Sequence, residues 1–157
     1  MEFTIRPAEL ADREKIRPLQ KEIADLHHDG RPDLFRTEAR YYTDEAFAEK
    51  LRNPDSFVYI AETSDEVIGY VFAGIMRYRG HPTYIDYDSF YIDDICVLEK
   101  YRGSGVGEAL FRHCVEIAKG HGCHNLFLNV FSFNTGAVAF YERMGMHEML
   151  RRMELIL

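Results

Sequence analysis

Cysteines and long apolar runs are scarce in this sequence, and each scarcity excludes a class of protein. The chain has three cysteines, Cys96, Cys114 and Cys123, an odd number in no pairing pattern. We therefore expect a cytoplasmic protein without disulfides rather than a secreted one. No apolar run approaches the roughly 18 residues that would span a membrane, and the charged N-terminal residues do not resemble a signal peptide.

Positive charge is also in short supply. Nineteen Lys and Arg residues stand against 26 Asp and Glu residues, which gives a formal net charge of −7. A general nucleic-acid binder neutralises phosphates with cationic side chains, so this balance argues against such a partner. An acidic chain is better suited to attract a cationic partner.

A second pair of metal ligands is lacking as well. His121, Cys123 and His124 are close together in the sequence. Zinc sites normally draw on two separated pairs of ligands, and no second pair is present. We therefore predict no metal.

The remaining composition is ordinary for a globular protein. The chain has 157 residues, of which 46% are hydrophobic and 29% are charged. This length and composition predict one domain, residues 1–157, that can bury a substantial core without disulfides.

Hydrophobic periodicity predicts strands and helices along the whole chain. The predicted strands are Phe3–Ile5, Phe57–Glu62, Val67–Met76, Phe90–Leu98, Leu126–Val130 and Arg152–Leu157. The first predicted helix runs through Ile16 and Leu26 with Asp12 as its N-cap, and the second follows Thr43 and ends at Pro54. The third predicted helix covers Gly105–Lys119, and the fourth runs from Asn134 or Thr135 to Met144. We expect Pro18 to kink the first helix or to mark its start, and residues 27–33 to form a loop.

The order of these elements predicts a mixed α/β fold. An antiparallel N-terminal meander is followed by a β-α-β unit and then by a C-terminal helix and strand. Leu126–Val130 is mostly apolar, which predicts a central strand buried on both faces.

A glycine-rich segment, Arg102-Gly103-Ser104-Gly105-Val106-Gly107, joins a predicted strand to an amphipathic helix. Glycines allow the backbone to approach a ligand closely, and the free N–H groups of a helix start attract anions. The segment lacks the lysine of a P-loop, and its G-x-G-x-G spacing differs from the dinucleotide fingerprint. It fits the pattern Arg/Gln-x-x-Gly-x-Gly/Ala at every fixed position, although a plain strand-to-helix turn is the simpler interpretation.

Two further segments accompany this loop. Ile92-Asp93-Asp94-Ile95-Cys96-Val97 precedes it, and residues Asn134–Gly145 follow it. With these three segments in this order and separation, the chain resembles the GNAT superfamily of N-acetyltransferases over nearly its whole length. The resemblance implies the GNAT-like fold and a metal-free enzyme that moves an acetyl group from acetyl-CoA directly to an amine.

The resemblance also implies which residues bind acetyl-CoA. A short strand segment would pair with the pantetheine arm through its backbone, like an added strand. The amides of the glycine-rich loop would cradle the pyrophosphate, assisted by the dipole of the following helix. The expected set is Ile95, Cys96, Val97, Arg102, Gly103, Ser104, Gly105, Val106, Gly107 and Asn134, the last of which is also a candidate helix N-cap.

Acetylation of an amine requires a base, a donor to the carbonyl oxygen and an acid for the leaving thiolate. Asp93 and Asp94 are the candidate bases, and only one can face the acceptor unless a β-bulge intervenes. The resemblance favours Asp93, with a water relay or a solvated carboxylate as alternatives. It also makes Tyr141 the candidate acid, where the simpler interpretation is a core aromatic. The oxyanion donor is expected to be a backbone N–H near Ile95 or Cys96, and the Cys96 side chain is expected to be a small buried residue.

No motif identifies the acceptor. Asp86 and Asp88, with the negative net charge, favour a small cationic amine, and His27 and His28 lie where relatives shape the acceptor site. The expected partners are a small-molecule amine or a peptide amine, with a homodimer as an assembly to be tested. The alternatives are a protein N-terminal or lysine acetyltransferase, a non-catalytic acetyl-CoA-binding module, and a nucleotide-binding regulatory domain.

Overall fold

One five-stranded sheet, in the order β1-β2-β3-β4-β5, organises the chain in a computed structural model that describes residues 1–37 and 42–157. The strands are β1 (Thr4–Pro7), β2 (Ser56–Glu62), β3 (Val67–Tyr78), β4 (Tyr87–Val97) and β5 (Asn125–Leu128). The helices are α1 (Arg13–Gly30), α2 (Asp44–Arg52), α3 (Val106–Gly120) and α4 (Thr135–Arg143). Strands β1 to β4 are antiparallel neighbours, whereas β4 and β5 are parallel and joined through α3. The predicted mixed α/β fold, a meander followed by a β-α-β unit, is confirmed.

Two hydrophobic cores cover the two faces of the sheet. On one face, Ile16 and Leu19 of α1 and Phe47 of α2 pack against residues of β2, β3 and β4. On the other face, Val106 and Leu110 of α3 lie in the second core, and α4 packs its aromatic side chains against the same core. The site described below lies where β4 separates these two layers.

The sequence pattern of α3 explains its position. Val106, Leu110, Cys114 and Ala118 recur at helical spacing and are at most 6% exposed. The charged residues predicted to face outward, Glu108, Arg112, Glu116 and Lys119, are exposed. This apolar stripe holds α3 on the sheet and thereby fixes the start of the helix beside the end of β4.

Helix α1 is longer than predicted. It begins at Arg13, includes Pro18 and continues to Gly30, so the prediction of a loop over residues 27–33 is wrong for its first part. Ile16 and Leu19, which flank the proline, are fully buried, and this packing holds the helix where local propensity alone favours a break.

Asp12 precedes α1 but does not cap it with its side chain. Its carboxylate is buried and instead binds the guanidinium of Arg6, at 2.7 and 2.9 Å, and the backbone N–H of Glu9. Asp12 therefore occupies the predicted N-cap position, but its carboxylate forms an ion pair with Arg6 of β1 instead of a capping hydrogen bond with α1.

The end of the chain differs most from the sequence-based expectation. β5 is an edge strand of four half-buried residues rather than a central strand buried on both faces. The predicted strand Arg152–Leu157 is not present among the described elements, because this segment has no partner strand within its own chain. The last helix agrees better: Asn134 Oδ1 accepts a hydrogen bond from the Ala137 N–H at 3.2 Å, and Gly145 follows the helix with φ +91°.

Candidate active site

Strands β4 and β5 pair over only part of their length. The register joins Ser89–Ile92 of β4 to Asn125–Leu128, where β5 ends. β4 continues to Val97, so within the described residues its last segment, residues 93–97, has no partner on the β5 side. An unpaired strand edge offers backbone N–H and C=O groups to an extended ligand. Ile95, Cys96 and Val97, the residues expected to bind pantetheine, lie in this segment, which we call the open edge of β4.

A β-bulge in β4 sets the direction of two carboxylates. Phe72 of β3 pairs with Asp94, but its neighbour Ala73 pairs with Ile92, so Asp93 is an extra residue in the ladder. A bulge interrupts the alternation of side chains along a strand. Both aspartates consequently bind partners on the α1/α2 face of the sheet. The sequence allowed the two side chains to share a face only if a β-bulge intervened, and the bulge is present.

Asp94 is the carboxyl whose environment is most unusual. Its Oδ2 accepts a hydrogen bond from the Tyr70 hydroxyl at 2.5 Å, and Tyr70 is fully buried. Burial raises the pKa of Asp94 to about 6, with the Tyr70 hydrogen bond opposing the rise and the charge of Asp93 adding to it. Such a carboxyl is mostly ionised at neutral pH yet binds a proton more readily than an ordinary aspartate, which suits a general base.

Asp93 has a different environment. It is exposed, and its Oδ2 accepts hydrogen bonds from the Tyr42 hydroxyl at 2.6 Å and from Lys50 Nζ at 3.0 Å. Lys50 also lies 5.0 Å from the centroid of the Tyr42 ring. A carboxylate already paired with an ammonium group is less available to accept a proton, so this chemistry suits a base less well than that of Asp94.

Tyr141 lies on α4, on the α3 side of the sheet. Its ring packs beside Phe140 and Phe111, with centroids 5.2 and 6.3 Å away, and its hydroxyl has no hydrogen-bond partner among the described residues. Burial raises the pKa of Tyr141 above its usual value, and the charges of Asp94 and Cys96 raise it further. The hydroxyl is therefore protonated at neutral pH and lies within electrostatic reach of Asp94.

The Cys96 thiol faces the protein interior. It is 5% exposed and its Sγ donates a hydrogen bond to the Leu19 carbonyl at 3.5 Å. Burial raises the pKa of Cys96 to about 12. Because the thiolate is the nucleophilic form of cysteine, this thiol is not suited to attack, which agrees with the expected role as a small buried residue.

The glycine-rich loop leaves the start of α3 open. Gly103 and Gly105 have φ of +77° and +91°, a region that L side chains rarely adopt, and no atom lies within 4 Å of where a Cβ would be built at either position. Helix α3 begins at Val106 with no side-chain hydrogen bond to cap it. The first N–H groups of a helix have no intrahelical partner, so this open start suits an anion such as a pyrophosphate.

Two other residues expected to bind the cofactor make local contacts. Arg102 Nε donates to the Val97 carbonyl at 3.2 Å, and its Nη2 lies 3.4 Å from Glu22 Oε2. The guanidinium therefore lies between the glycine-rich loop and the open edge of β4. Asn134 uses its side-chain oxygen to cap α4, as the simpler interpretation expected.

Asp86 and Asp88, the residues expected to attract a cationic acceptor, both make local contacts. Asp88 is paired with Arg77 at 3.3 Å and with Arg79 at 2.5 Å, so its negative charge is largely neutralised. Asp86 accepts a hydrogen bond from the Gly80 N–H at 2.8 Å. Of these two aspartates, only Asp88 forms ion pairs with cationic side chains among the described residues.

His27 and His28 are half-buried. The His27 ring stacks on Phe35 at 5.0 Å and meets the edge of Phe131 at 5.7 Å, and burial lowers the pKa of this histidine. His28 Nδ1 is 2.7 Å from the Phe35 carbonyl oxygen. His27 therefore belongs to an aromatic cluster between α1 and the segment after β5, and His28 contacts the backbone of Phe35 beside it.

Sequence reasoning missed three residues of the site. Tyr70 binds Asp94, and Tyr42 and Lys50 bind Asp93. Tyr70 is 24 residues from Asp94 along the chain, and only the β3–β4 register, in which Tyr70 pairs with Cys96, brings the two together. A correctly predicted register would have revealed Tyr70, because it lies beside an acidic residue on the neighbouring strand.

The described residues form neither a metal-ligand cluster nor a helix that could cross a membrane. Among residues 1–37 and 42–157, no group of three or more His, Cys, Asp or Glu side chains is arranged to hold a metal ion. None of the helices formed by these residues has the length and apolar character needed to cross a membrane.

Two acetyltransferases are similar to this chain in sequence. The chain is 28% identical over 107 residues to an N-alpha-acetyltransferase of Sulfurisphaera tokodaii, a match that covers 65% of this chain and 63% of that protein. It is 27% identical over 95 residues to an L-ornithine N5-acetyltransferase of Arabidopsis thaliana, covering 60% of this chain and 41% of that protein. The chain thus spans less than two thirds of the length of either relative.

A solved structure and a family model cover more of the chain. The fold matches that of a tetramutant protein from Bacillus halodurans with a TM-score of 0.93 and 28% identity, over 98% of this chain and 99% of that one. Residues 21–146 match the model of the acetyltransferase (GNAT) family. Since this match covers most of the chain, the protein belongs to the GNAT family of acetyltransferases.

Proposed function

We propose that this protein is an N-acetyltransferase, with residues 1–157 as its catalytic domain, that transfers an acetyl group from acetyl-CoA directly to a primary amine. The observation that carries the proposal is the open edge of β4, which bears Asp94 with its raised pKa and lies within electrostatic reach of the protonated Tyr141 hydroxyl. A base and an acid near one unpaired strand edge are the groups that acyl transfer between an amine and a thioester requires.

The residues around the opening fit acetyl-CoA. Acetyl-CoA is the cosubstrate of the GNAT family, and when bound it supplies the acetyl group as a thioester. The open edge of β4 offers backbone hydrogen bonds to its amide-bearing arm, and the uncapped start of α3 offers N–H groups to its phosphates. Arg102 lies between these two regions and supplies a positive charge beside them.

Asp94 acts as the general base in this proposal. A primary ammonium group must lose a proton before its nitrogen can attack a carbonyl carbon. Asp94 Oδ takes that proton, and Tyr70 holds the carboxylate in place by its 2.5 Å hydrogen bond. Asp93, held by Tyr42 and Lys50, helps to keep the pKa of Asp94 raised through its neighbouring charge.

Tyr141 acts as the general acid. As the carbon–sulfur bond breaks, the Tyr141 hydroxyl donates its proton to the leaving sulfur, and negative charge on the carbonyl oxygen is stabilised by a backbone N–H of Ile95 or Cys96. The Tyr141 hydroxyl supports this role because it is protonated at neutral pH and has no hydrogen-bond partner among the described residues.

For the acceptor we propose a small cationic amine. Two adjacent carboxylates on one face of β4 and the net charge of −7 favour a cation, and one relative is named for acetylating ornithine. The second candidate is a protein N-terminal amine, which is supported by the name of the Sulfurisphaera relative. A cytoplasmic location belongs to the same proposal, supported by three free cysteines.

Thiol release from acetyl-CoA, measured against a panel of diamines, amino acids and short peptides with free N-termini, tests the proposal. We expect turnover with at least one amine and a loss of about 10²-fold or more in kcat for Asp94→Asn. Asp86→Asn, which changes an aspartate outside the opening, is the matched control and should retain activity. Acetyl-CoA binding without turnover would show a binding module, and tighter binding of ATP or NAD than of CoA would show a nucleotide-binding domain.

A further inference from the structure

Four rings form the cluster between α1 and the segment after β5, which we call the aromatic cluster: His27, Phe35, Phe131 and Phe133. The His27 ring stacks on Phe35 with centroids 5.0 Å apart, and Phe131 stacks on Phe133 at 5.3 Å. The two pairs meet edge to face, with 5.4 Å between the centroids of Phe35 and Phe131. Phe131 is 38% exposed, so part of the aromatic surface is accessible to a ligand.

A glycine allows the cluster to pack against α1. A Cβ at Gly30, the last residue of the helix, would lie 2.3 Å from an atom of the Phe133 ring, so a side chain at this position would displace the ring. Burial lowers the pKa of His27, and its ring is therefore uncharged at neutral pH. The cluster is accordingly a packed, neutral surface.

Helix α1 connects the aromatic cluster to the open edge of β4. The Leu19 carbonyl accepts a hydrogen bond from Cys96 Sγ at 3.5 Å, and the Glu22 carboxylate accepts one from the Glu99 N–H at 2.9 Å. The helix thus crosses the end of β4. His27 follows Glu22 by five residues, which is about 7.5 Å along a helix, so the cluster lies less than two turns beyond this crossing.

The segment after β5 borders the same opening from the other side. The last rung of the β4–β5 ladder joins Ile92 to Leu128. Asp94 lies two residues beyond this rung on β4, and Phe131 lies three residues beyond it on the other chain segment. The gap that begins at the rung is therefore bordered by the carboxylate of Asp94 on one side and by the aromatic cluster on the other.

Asp93, the second carboxylate at the opening, already holds a cation of the protein itself. Lys50 Nζ lies 3.0 Å from Asp93 Oδ2 and 5.0 Å from the centroid of the Tyr42 ring. The Tyr42 hydroxyl donates a hydrogen bond to the same carboxylate oxygen at 2.6 Å. A second ammonium group on an acceptor would have to displace Lys50 to reach this carboxylate.

Two carboxylates near the cluster are paired as well. Arg31, which directly follows α1, binds Asp33 at 2.7 Å and Glu154 at 2.5 Å. A neutral aromatic surface beside paired carboxylates favours an apolar group over a second charged one, because a charge loses its hydration when it is buried without a partner.

We propose that the acceptor is a primary monoamine that carries an aryl group, with its ammonium group at Asp94 and its aryl group against the aromatic cluster. This inference rests on the proposed function and specifies its acceptor. Stacked and edge-to-face contacts with the cluster orient the aryl group. Lys50 determines specificity, because it occupies the carboxylate that a diamine would need for its second ammonium group.

Thiol release from acetyl-CoA with three matched amines tests the proposal. The amines are 4-phenylbutylamine, n-butylamine and 1,4-diaminobutane, which share a four-carbon chain and differ at its far end. We expect kcat/KM for 4-phenylbutylamine to exceed that for n-butylamine by about 10-fold or more, because the phenyl ring leaves water, and 1,4-diaminobutane to be the poorest acceptor.

The outcomes separate this inference from the proposed function. Equal kcat/KM values for the two monoamines, a preference for the diamine, or turnover of peptides alone would overturn the inference and leave the protein an acetyltransferase. An absence of turnover with every amine and peptide would contradict both.

Phe131→Ala tests the cluster by removing its most exposed ring. We expect KM for 4-phenylbutylamine to rise by about 10-fold with little change in kcat, because the ring contact is the same in the ground state and the transition state. The kinetics of n-butylamine should stay unchanged. The matched control is Tyr84→Ala, an aromatic residue 61% exposed between β3 and β4, which should affect neither amine. No loss in Phe131→Ala, or an equal loss for both amines, would overturn the assignment.

Lys50→Met tests the specificity-determining residue. The variant leaves Asp93 without its internal cation, so kcat/KM for 1,4-diaminobutane relative to n-butylamine should rise by about 3–5-fold, the range of an exposed ion pair. Because the ratio compares two amines on one variant, it cancels a change in the pKa of Asp94 or in the amount of folded protein. Lys119→Met, on the exposed face of α3, is the control and should leave the ratio unchanged. An unchanged ratio in Lys50→Met would overturn the assignment of a monoamine.

Discussion

At the scale of single residues, the pair formed by Tyr70 and Asp94 determines the acid–base chemistry of the site. Burial raises the pKa of Asp94, and the hydrogen bond from Tyr70 limits the rise by stabilising the ionised form. The two opposing effects place the pKa of Asp94 at about 6. The carboxyl is therefore mostly ionised at neutral pH and can accept a proton. A fully buried hydroxyl that touches no solvent therefore influences the pH range in which the proposed reaction proceeds.

Tyr70→Phe tests this influence. Activity of the parent enzyme should fall as the pH drops below about 6, because protonated Asp94 cannot act as a base. Removal of the Tyr70 hydroxyl removes the contact that lowers the pKa of Asp94, so the acidic limb of the kcat/KM profile should move to higher pH. Tyr42→Phe, which removes a hydroxyl bound to Asp93 instead, is the control and should move the limb less. An unchanged limb in Tyr70→Phe would show that Tyr70 does not tune the base.

Tyr141→Phe tests the proposed acid. The ring and its packing against Phe111 and Phe140 are retained, but the proton donor is lost. We expect kcat to fall by about 10²-fold, the lower end of the range for a positioned acid because water can partly substitute, with little change in acetyl-CoA affinity.

The control for this variant is Tyr78→Phe, at the far end of β3, which should leave kcat unchanged. Steady-state kinetics, cofactor titration and a melting curve are the measurements. If Tyr141→Phe turns over at the parent rate while chemistry is rate-limiting, Tyr141 is a core aromatic and not the acid.

At the scale of elements, the site depends on where regular structure stops. β5 ends at Leu128 while β4 continues, the ladder is interrupted at Asp93, and α3 starts at a glycine that cannot cap it. Each interruption leaves backbone polar groups without a partner in the chain or redirects a side chain. The candidate site is the place where these three irregularities coincide.

Gly105→Val tests the helix start. The φ of +91° at this position costs a side-chain-bearing residue about 1–2 kcal/mol, and the new side chain extends into the open space proposed for the pyrophosphate. We expect weaker acetyl-CoA binding in isothermal calorimetry together with a lower melting temperature. Gly120→Ala, at the other end of α3 and also in open space but without a positive φ, should leave the affinity unchanged. Unaltered affinity in a folded Gly105→Val protein would remove the loop from the binding site.

At the scale of the whole molecule, two aspartates link stability to pH in opposite directions. The ion pair with Arg6 holds the pKa of Asp12 well below its usual value, so this contribution to stability is present at neutral pH and is lost on acidification. Asp94 behaves in the opposite way, because its raised pKa means that the folded state binds the proton more tightly than the unfolded state does. The charge that the proposed reaction needs therefore costs the fold stability.

Asp94→Asn should reveal this cost. The carboxyl has a pKa of about 3.9 in an unfolded chain and about 6 in the fold, so its contribution falls as the pH rises between these values. At pH 7.5 we expect the variant to be more stable than the parent by up to about 3 kcal/mol in the free energy of unfolding, although its kcat is reduced. Urea denaturation at pH 5 and pH 7.5 is the measurement. A stability difference that is the same at both pH values would contradict the linkage.

The sequence by itself determined the features that depend on neighbouring residues. The order of the elements, the amphipathic face of α3, the glycine-rich turn before it and the Asn134 cap could be predicted because periodicity, turn chemistry and capping act within a few residues. The tertiary structure decided what depends on distant contacts. It brought Tyr70 to Asp94 and placed Asp93 in a bulge, because strand register joins residues far apart in the chain. It extended α1 through Pro18, because packing outweighs local propensity, and it left residues 152–157 outside the strands of the described structure, because a strand forms only when it is paired with another.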